Sequence, residues 1–167
     1  EHGLSDEYSN GNGSLMRILP LAFTAAGPSD IEAVSSITHA HATSVEACLL
    51  YVAIARKLLK GQQLSEILSD LATSTTYARL QTLAELTEDD IRSTGYVVDT
   101  LEAALWCLLT STSYLETVLK AVNLGDDTDT VAAVAGGLAG IIYGLEGIPD
   151  NWLAQLPNKE LLESCLF

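Results

Sequence analysis

Aromatic residues make up only 6% of this 167-residue chain, with two Phe, two Trp and six Tyr. A β-sandwich would draw on more Val, Ile, Tyr and Phe, so the prominence of Ala, Leu and Thr favours close-packed helices. Cations are scarce as well: eight Lys and Arg stand against 22 Asp and Glu, a formal net charge of -14. So acidic a chain repels a phosphate backbone, which argues against direct nucleic-acid binding. Cysteines are few, odd in number and far apart (Cys48, Cys107, Cys165), each in an apolar stretch. They show neither zinc spacing nor a disulfide framework, so buried reduced thiols and a cytoplasmic location are expected. Long apolar runs are missing too. The longest, Val131 to Leu145, spans 15 residues with four glycines, short for a membrane span. The opening EHGLSDEYSNGNG is polar throughout, unlike a signal peptide, and the lack of an initial Met suggests a fragment.

Helix signals are frequent. Ser29-x-x-Glu32, Thr43-x-x-Glu46 and Ser113-x-x-Glu116 fit the capping box, in which two side chains satisfy orphan amides at a helix start. Gly61 follows Lys57 and Lys60, as expected of a helix C-terminus. Together these signals place helices at 14–27, 30–41, 44–60, 64–72, 75–86, 97–110, 114–122, 129–145 and 158–166, with Pro20 kinking or splitting the first. Loops are expected at 1–13, 87–96, 123–128 and 146–157, with Glu88-Asp89-Asp90 a solvated stretch. No period of 20–50 residues suggests a solenoid. Gly136, Gly140 and Gly144 recur along one face of the 129–145 helix, fitting a central, tightly packed helix or a groove for close backbone approach.

The densest charge stands at NLGDDTDTVAAVAGG, Asn123 to Gly137, where Asp126, Asp127 and Asp129 crowd ahead of that apolar helix. Like charges so close are costly without something positive among them. The helix N-terminus is one source of positive potential, and a bound hard cation such as Mg2+, Ca2+ or Mn2+ is another. Spacing alone leaves the helix cap and the metal site both open. An EF-hand loop is excluded: counted from Asp127, its sixth position would be Ala132 and its twelfth Leu138, where Gly and Glu are required.

Ser9-Asn10-Gly11-Asn12-Gly13-Ser14 precedes a helical run containing Arg17. Glycines and successive amides opening a helix suit an anion, although the pattern matches neither a Walker loop nor GxGxxG, and a plain turn fits too. His39 and His41 lie two apart, which keeps them off a shared helix face. Dipole contact near a helix end, or for His39 a ligand contact, are the available roles.

Four segments together resemble the ADP-ribosylglycohydrolase family: Asn10 to Phe23, Thr38 to Ala47, Thr94 to Trp106 and Asn123 to Gly140. Their order and spacing fit across nearly the whole chain, yet only the C-terminal half of the family pattern is covered. The resemblance implies an all-α, compact, multi-helix orthogonal bundle in partial form, with residues 1–167 as one helical domain. It also implies a two-metal Mg2+ or Mn2+ centre and cleavage of the glycosidic bond between ADP-ribose and a protein side chain or related acceptor. The family's D-T-D-T motif falls on Asp127, Thr128, Asp129 and Thr130. Asp127, Asp129 and Thr130 would then be metal ligands, with Asp127 and Asp129 carrying catalysis. Ser9, Asn10, Gly11, Asn12 and Gly13 match the loop along the ADP-ribose diphosphate, and His39 a position facing that ligand. Asp126 stands where the family has Gly. The family's second acidic cluster, Thr-Asp-Asp, and its GDA-like motif have no counterpart here. One wall of a cleft is therefore expected, acting on ADP-ribose or an ADP-ribosylated protein. Self-association, or pairing with a missing N-terminal half, would complete it. The alternative is a non-catalytic ADP-ribose-binding or structural relative.

Overall fold

A computed structural model describes residues 3–6 and 8–165 of the chain. Among these, every regular element is helical, and strand-like pairing is confined to isolated bridges of Leu4 with His39 and Gly11 with Tyr96. The α-helices are α1 (Leu15–Ile18), α2 (Pro28–Ser36), α3 (Ala42–Leu58), α4 (Leu64–Ser69), α5 (Val97–Leu109), α6 (Tyr114–Asn123), α7 (Thr128–Tyr143), α8 (Asp150–Gln155) and α9 (Lys159–Cys165). Four 3-10 segments, Leu19–Phe23, Thr75–Glu85, Glu88–Asp90 and Leu145–Gly147, lie between them. The all-α expectation holds, while the last position of the helix expected at 158–166 lies outside the described residues.

Pro20 splits the first helix as expected, at the start of the 3-10 segment that follows α1. Several other local expectations need correction. The 75–86 segment is a 3-10 helix rather than an α-helix, and its buried residues show why. Tyr77, Leu80 and Leu83 recur every third position, which lines them up on one face only at three residues per turn. Helix α8 falls where a loop was expected. It starts directly after Pro149 with an acidic first turn, and its Trp152 ring meets Tyr114 edge-on at 6.4 Å. At α2 the Asp30 carboxylate accepts from the Gly27 amide, a cap two residues earlier than the expected Ser29 with Glu32. At α3 the imidazole of His41 accepts from the Thr43 amide, and Glu46 reaches across to the Ser74 amide and hydroxyl instead. Ser113 does cap α6 through the Glu116 amide, but the Glu116 carboxylate binds Thr112. Cys48 and Cys107 are buried as expected, whereas Cys165 is exposed.

The buried residues form one hydrophobic core centred on α3, α5 and α7, with α7 packed most closely on α5 and α6. Helix α5 is buried almost all round, from Val97 to Leu108, as befits a central helix. Tyr51 of α3 donates to the Val134 carbonyl of α7 at 2.8 Å, fixing those two helices against each other. Of the two readings of the glycine positions, the central packed helix fits and the groove does not. Gly136 faces Tyr114 and Val118 of α6, Gly140 meets nothing within 4 Å, and Gly144 has left the helix at a φ of 68°. Close approach occurs instead at Gly137, where a Cβ would stand 2.6 Å from Leu19 Cδ2 and 2.9 Å from the Tyr51 hydroxyl. Gly137→Ala should therefore cost about 1–3 kcal/mol, the usual range for overpacking. Urea unfolding would read this, and an unchanged midpoint would show that Leu19 moves aside freely.

One buried carboxylate is braced by a cation: Arg79 Nη1 lies 3.3 Å from Glu102 Oε2 on α5. Burial raises the Glu102 pKa above its ordinary range, and the Arg79 charge opposes the rise. A raised acid binds its proton more readily when folded, so stability falls as pH rises through the window above the ordinary glutamate value. Arg79→Met removes the opposing charge and should steepen that fall. We expect destabilisation of about 1–2 kcal/mol near neutral pH, less near about pH 5. Equal losses at both pH values would refute it, and Glu102→Gln in the same background should flatten the profile.

Candidate active site

The Ser9–Gly13 loop, the turn ahead of α5 and the start of α7 are joined at the N-terminal end of α7. Backbone bonds do the joining: Asn12 N–H donates to the Gly95 carbonyl (3.1 Å), Val97 N–H to the Asn10 carbonyl (2.9 Å) and Asp127 N–H to the Ser93 carbonyl (2.9 Å). Ser93 Oγ donates to the Gly125 carbonyl at 2.8 Å, which ties down the turn entering α7. That turn is tight. Gly125 has a φ of 93° and Asp126 one of 52°. The left-handed region favours Gly and, among other residues, tolerates Asn and Asp, so an Asp can stand where the resemblance places Gly. Asp126 is exposed and its extra charge faces solvent.

Asp127 occupies the N-cap position of α7, yet its side chain makes no capping hydrogen bond. Instead, Asn12 Nδ2 donates to Asp127 Oδ2 at 2.6 Å. That bond is the main reason the carboxyl is held below its ordinary range; burial opposes it, and Thr130 and Asp129 add to the lowering. Asp129 is exposed, and its Oδ1 accepts from the Thr130 amide at 2.9 Å. Thr130 is buried, with its hydroxyl 3.9 Å from Met16 Sδ. Two carboxylates and a hydroxyl thus occupy the first turn of one helix. Hard oxygen donors of this kind fit Mg2+ or Mn2+. Among the described residues no group of three or more His, Cys, Asp or Glu side chains converges, so such an ion would take further ligands from water or another segment.

His39 lies against the same loop. A Cβ on Gly11 would stand 3.2 Å from His39 Nε2, and one on Gly13 only 2.9 Å from its Cε1. The glycines are therefore required by the imidazole that packs over them. Thr38 Oγ1 accepts from Arg17 at 2.6 Å and is 2.7 Å from His39 Nδ1. That contact ties the His39 ring to Thr38 through Nδ1 and leaves Nε2 on the loop side. Burial and the Arg17 charge both lower the His39 pKa, favouring the neutral ring. Arg17 itself is not free to grip an anion: it donates to Gly13, Val34 and Ser35 carbonyls as well as Thr38. It braces the loop to the end of α2.

Of the residues singled out from the sequence, Asn12, Gly11, Gly13, His39, Asp127 and Thr130 gather on one end of the bundle. The Asn10 side of the loop is fixed by the Val97 bond. Ser9 stands apart, its hydroxyl donating to Asp6 at 2.6 Å within its own turn. Sequence reading missed Thr100 and the 93–95 turn. Thr100 Oγ1 accepts from Asn12 Nδ2 at 2.9 Å and lies within bonding distance of the Thr94 and Tyr96 carbonyls. No spacing pattern marked Thr100, which is fully buried in α5.

Comparison with known proteins shows the family. The ADP-ribosylglycohydrolase family model matches residues 1–166. ADP-ribosylarginine hydrolase Tri1 of Pseudomonas putida (strain GB-1) is 39% identical over 163 residues, 92% of this chain and 44% of that protein. An ADP-ribosyl-(dinitrogen reductase) glycohydrolase of Rhodospirillum rubrum is 33% identical over 158 residues, 92% of this chain and 53% of its own. A solved ADP-ribosylglycohydrolase-related protein complex superposes with a TM-score of 0.79 at 32% identity, covering 96% of this chain and 59% of that one. The chain spans about half the length of the curated relatives it matches. Among the described residues no helix is long and apolar enough to cross a membrane. In sequence and in fold, the chain belongs to the ADP-ribosylglycohydrolase family.

Proposed function

We propose that this chain supplies one wall of a metal-dependent hydrolase site that removes ADP-ribose from modified proteins or related acceptors by cleaving the glycosidic bond. The supporting observation is the direct link between the two halves of the site, Asn12 Nδ2 to Asp127 Oδ2 at 2.6 Å. It sets a candidate diphosphate loop beside a candidate metal-binding turn, which is the division of labour that ADP-ribose demands. The diphosphate end wants hydrogen-bond donors, and the amides of the glycine loop, with the His39 ring beside them, are suited to it. The ribose end wants a cation, which Asp127, Asp129 and Thr130 would help to hold as Mg2+ or Mn2+. Such an ion, when bound, supplies charge stabilisation and lowers the pKa of a bound water.

Within that scheme the residues of this chain bind and orient. Asp127 stays ionised because Asn12 favours its charged form, so it is available as a ligand at neutral pH. Neutral His39 offers one donor without adding charge. The remaining coordination positions, and the choice of acceptor, would fall to residues outside this chain, such as an N-terminal half or a second copy. Calorimetric titration of the 167-residue chain with Mn2+ and Mg2+, followed by ADP-ribose, tests the proposal. Metal-dependent ADP-ribose binding is the expected result; ADP-ribose binding indifferent to metal would favour the non-catalytic binding relative, and none at all would refute both.

A further inference from the structure

We infer that Asn12 is a positioning residue for Asp127: its side-chain amide, anchored on Thr100, holds the carboxylate in the orientation in which it would meet a divalent cation. This rests on the metal-dependent reading above. It also departs from the resemblance, which places Asn12 among the residues along ADP-ribose.

Hydrogen-bond bookkeeping carries the inference. Asp127, ionised, can only accept. The Thr100 hydroxyl has carbonyls of Thr94 and Tyr96 within 3.0 and 3.2 Å to take its single proton, so toward Asn12 it too must accept. Both partners therefore require the nitrogen end of the Asn12 amide, at 2.9 Å and 2.6 Å. The two Nδ2 protons are accounted for, and a flip of the amide would lose the bond to Asp127. Asn12 is itself 8% exposed and Thr100 fully buried, so the amide is anchored from beneath the surface. The bond at Asp127 Oδ2 fixes the plane of the carboxylate that an ion would meet. Partners that orient a metal-binding carboxylate typically change affinity by about 10–100-fold when removed.

Thr100 makes the test discriminating, because it touches Asn12 and not the solvent-facing site. Mn2+ affinity would be measured by calorimetry for Asn12→Ala, Thr100→Val, Thr100→Ser and the Asn12→Ala, Thr100→Val double variant, with circular dichroism to check folding. Asn12→Ala should lose about 10–100-fold. Thr100→Val should lose affinity in the same direction, Thr100→Ser should recover it, and the double variant should be no worse than Asn12→Ala. If Asn12→Ala binds Mn2+ like the parent and loses only ADP-ribose affinity, Asn12 is a ligand contact and the inference is overturned. Should the parent itself fail to bind Mn2+, the metal reading falls. The hold on Asp127 is then read from hydrogen exchange of the Asn12 side-chain amide. Slow exchange in the parent that becomes fast in Asp127→Ala supports it, and fast exchange in the parent overturns it.

Discussion

Replacing Asp127 and Asp129 together by alanine is expected to abolish measurable Mn2+ binding and to weaken metal-dependent ADP-ribose binding by about 100-fold or more. The magnitude follows from what the pair supplies. A hard cation bound by oxygen ligands owes most of its affinity to anionic ones, and Asp127 and Asp129 are the two carboxylates on the turn that also carries Thr130. Neither is part of the core: Asp129 is exposed and Asp127 only half-buried, so helix content should survive. The single variants should differ. Asp127→Ala also leaves the Asn12 amide without its acceptor, whereas Asp129→Ala forfeits only a local bond to the Thr130 amide. A double variant that still binds Mn2+ with parental affinity would place the metal elsewhere.

The helices of this chain were legible because their apolar residues repeat at helical spacing, and α3, α5, α6 and α7 fall within a few residues of expectation. What escaped was anything set by tertiary contact. The capping pattern at Thr43 and Glu46 is formally correct, but Glu46 finds a better use at Ser74, 28 positions away, and His41 takes over the cap. The 3-10 helix at Thr75–Glu85 betrays itself only through a three-residue apolar period that an α-helical template absorbs without complaint. Asp126 looked like a surplus charge. Its backbone sits at a φ of 52°, a conformation that Asp tolerates better than most residues. The same limit applies to the site. The acidic turn and the glycine loop were each visible, but the Asn12–Asp127 bond joins residues 115 positions apart, and no spacing rule reaches that far.

Leu138→Ala should give the largest loss of stability among the substitutions considered, about 2–5 kcal/mol. Leu138 is fully buried on α7, the helix that touches α3, α5 and α6, so little room exists for its neighbours to collapse into the space left behind. For a chain of this length that corresponds to a fall in melting temperature on the order of 10 °C. Yet Mn2+ affinity at 25 °C should stay near the parental value as long as the chain is folded. Leu138 is nine residues beyond Asp129, roughly 13 Å along the helix axis, and substitutions so separated usually act independently. The aspartate turn is also fixed locally, by the Ser93 bond to Gly125 and the Asn12 bond to Asp127, rather than through the core beneath α7. Combining Leu138→Ala with Asn12→Ala therefore separates two kinds of support. The first should lower the melting temperature and spare the metal, while the second should weaken the metal at little cost in melting temperature. A folded Leu138→Ala variant that binds Mn2+ poorly would mean that the turn is held by α7's burial after all, and that the hydrogen bonds around Asp127 follow the helix rather than fix the carboxylate.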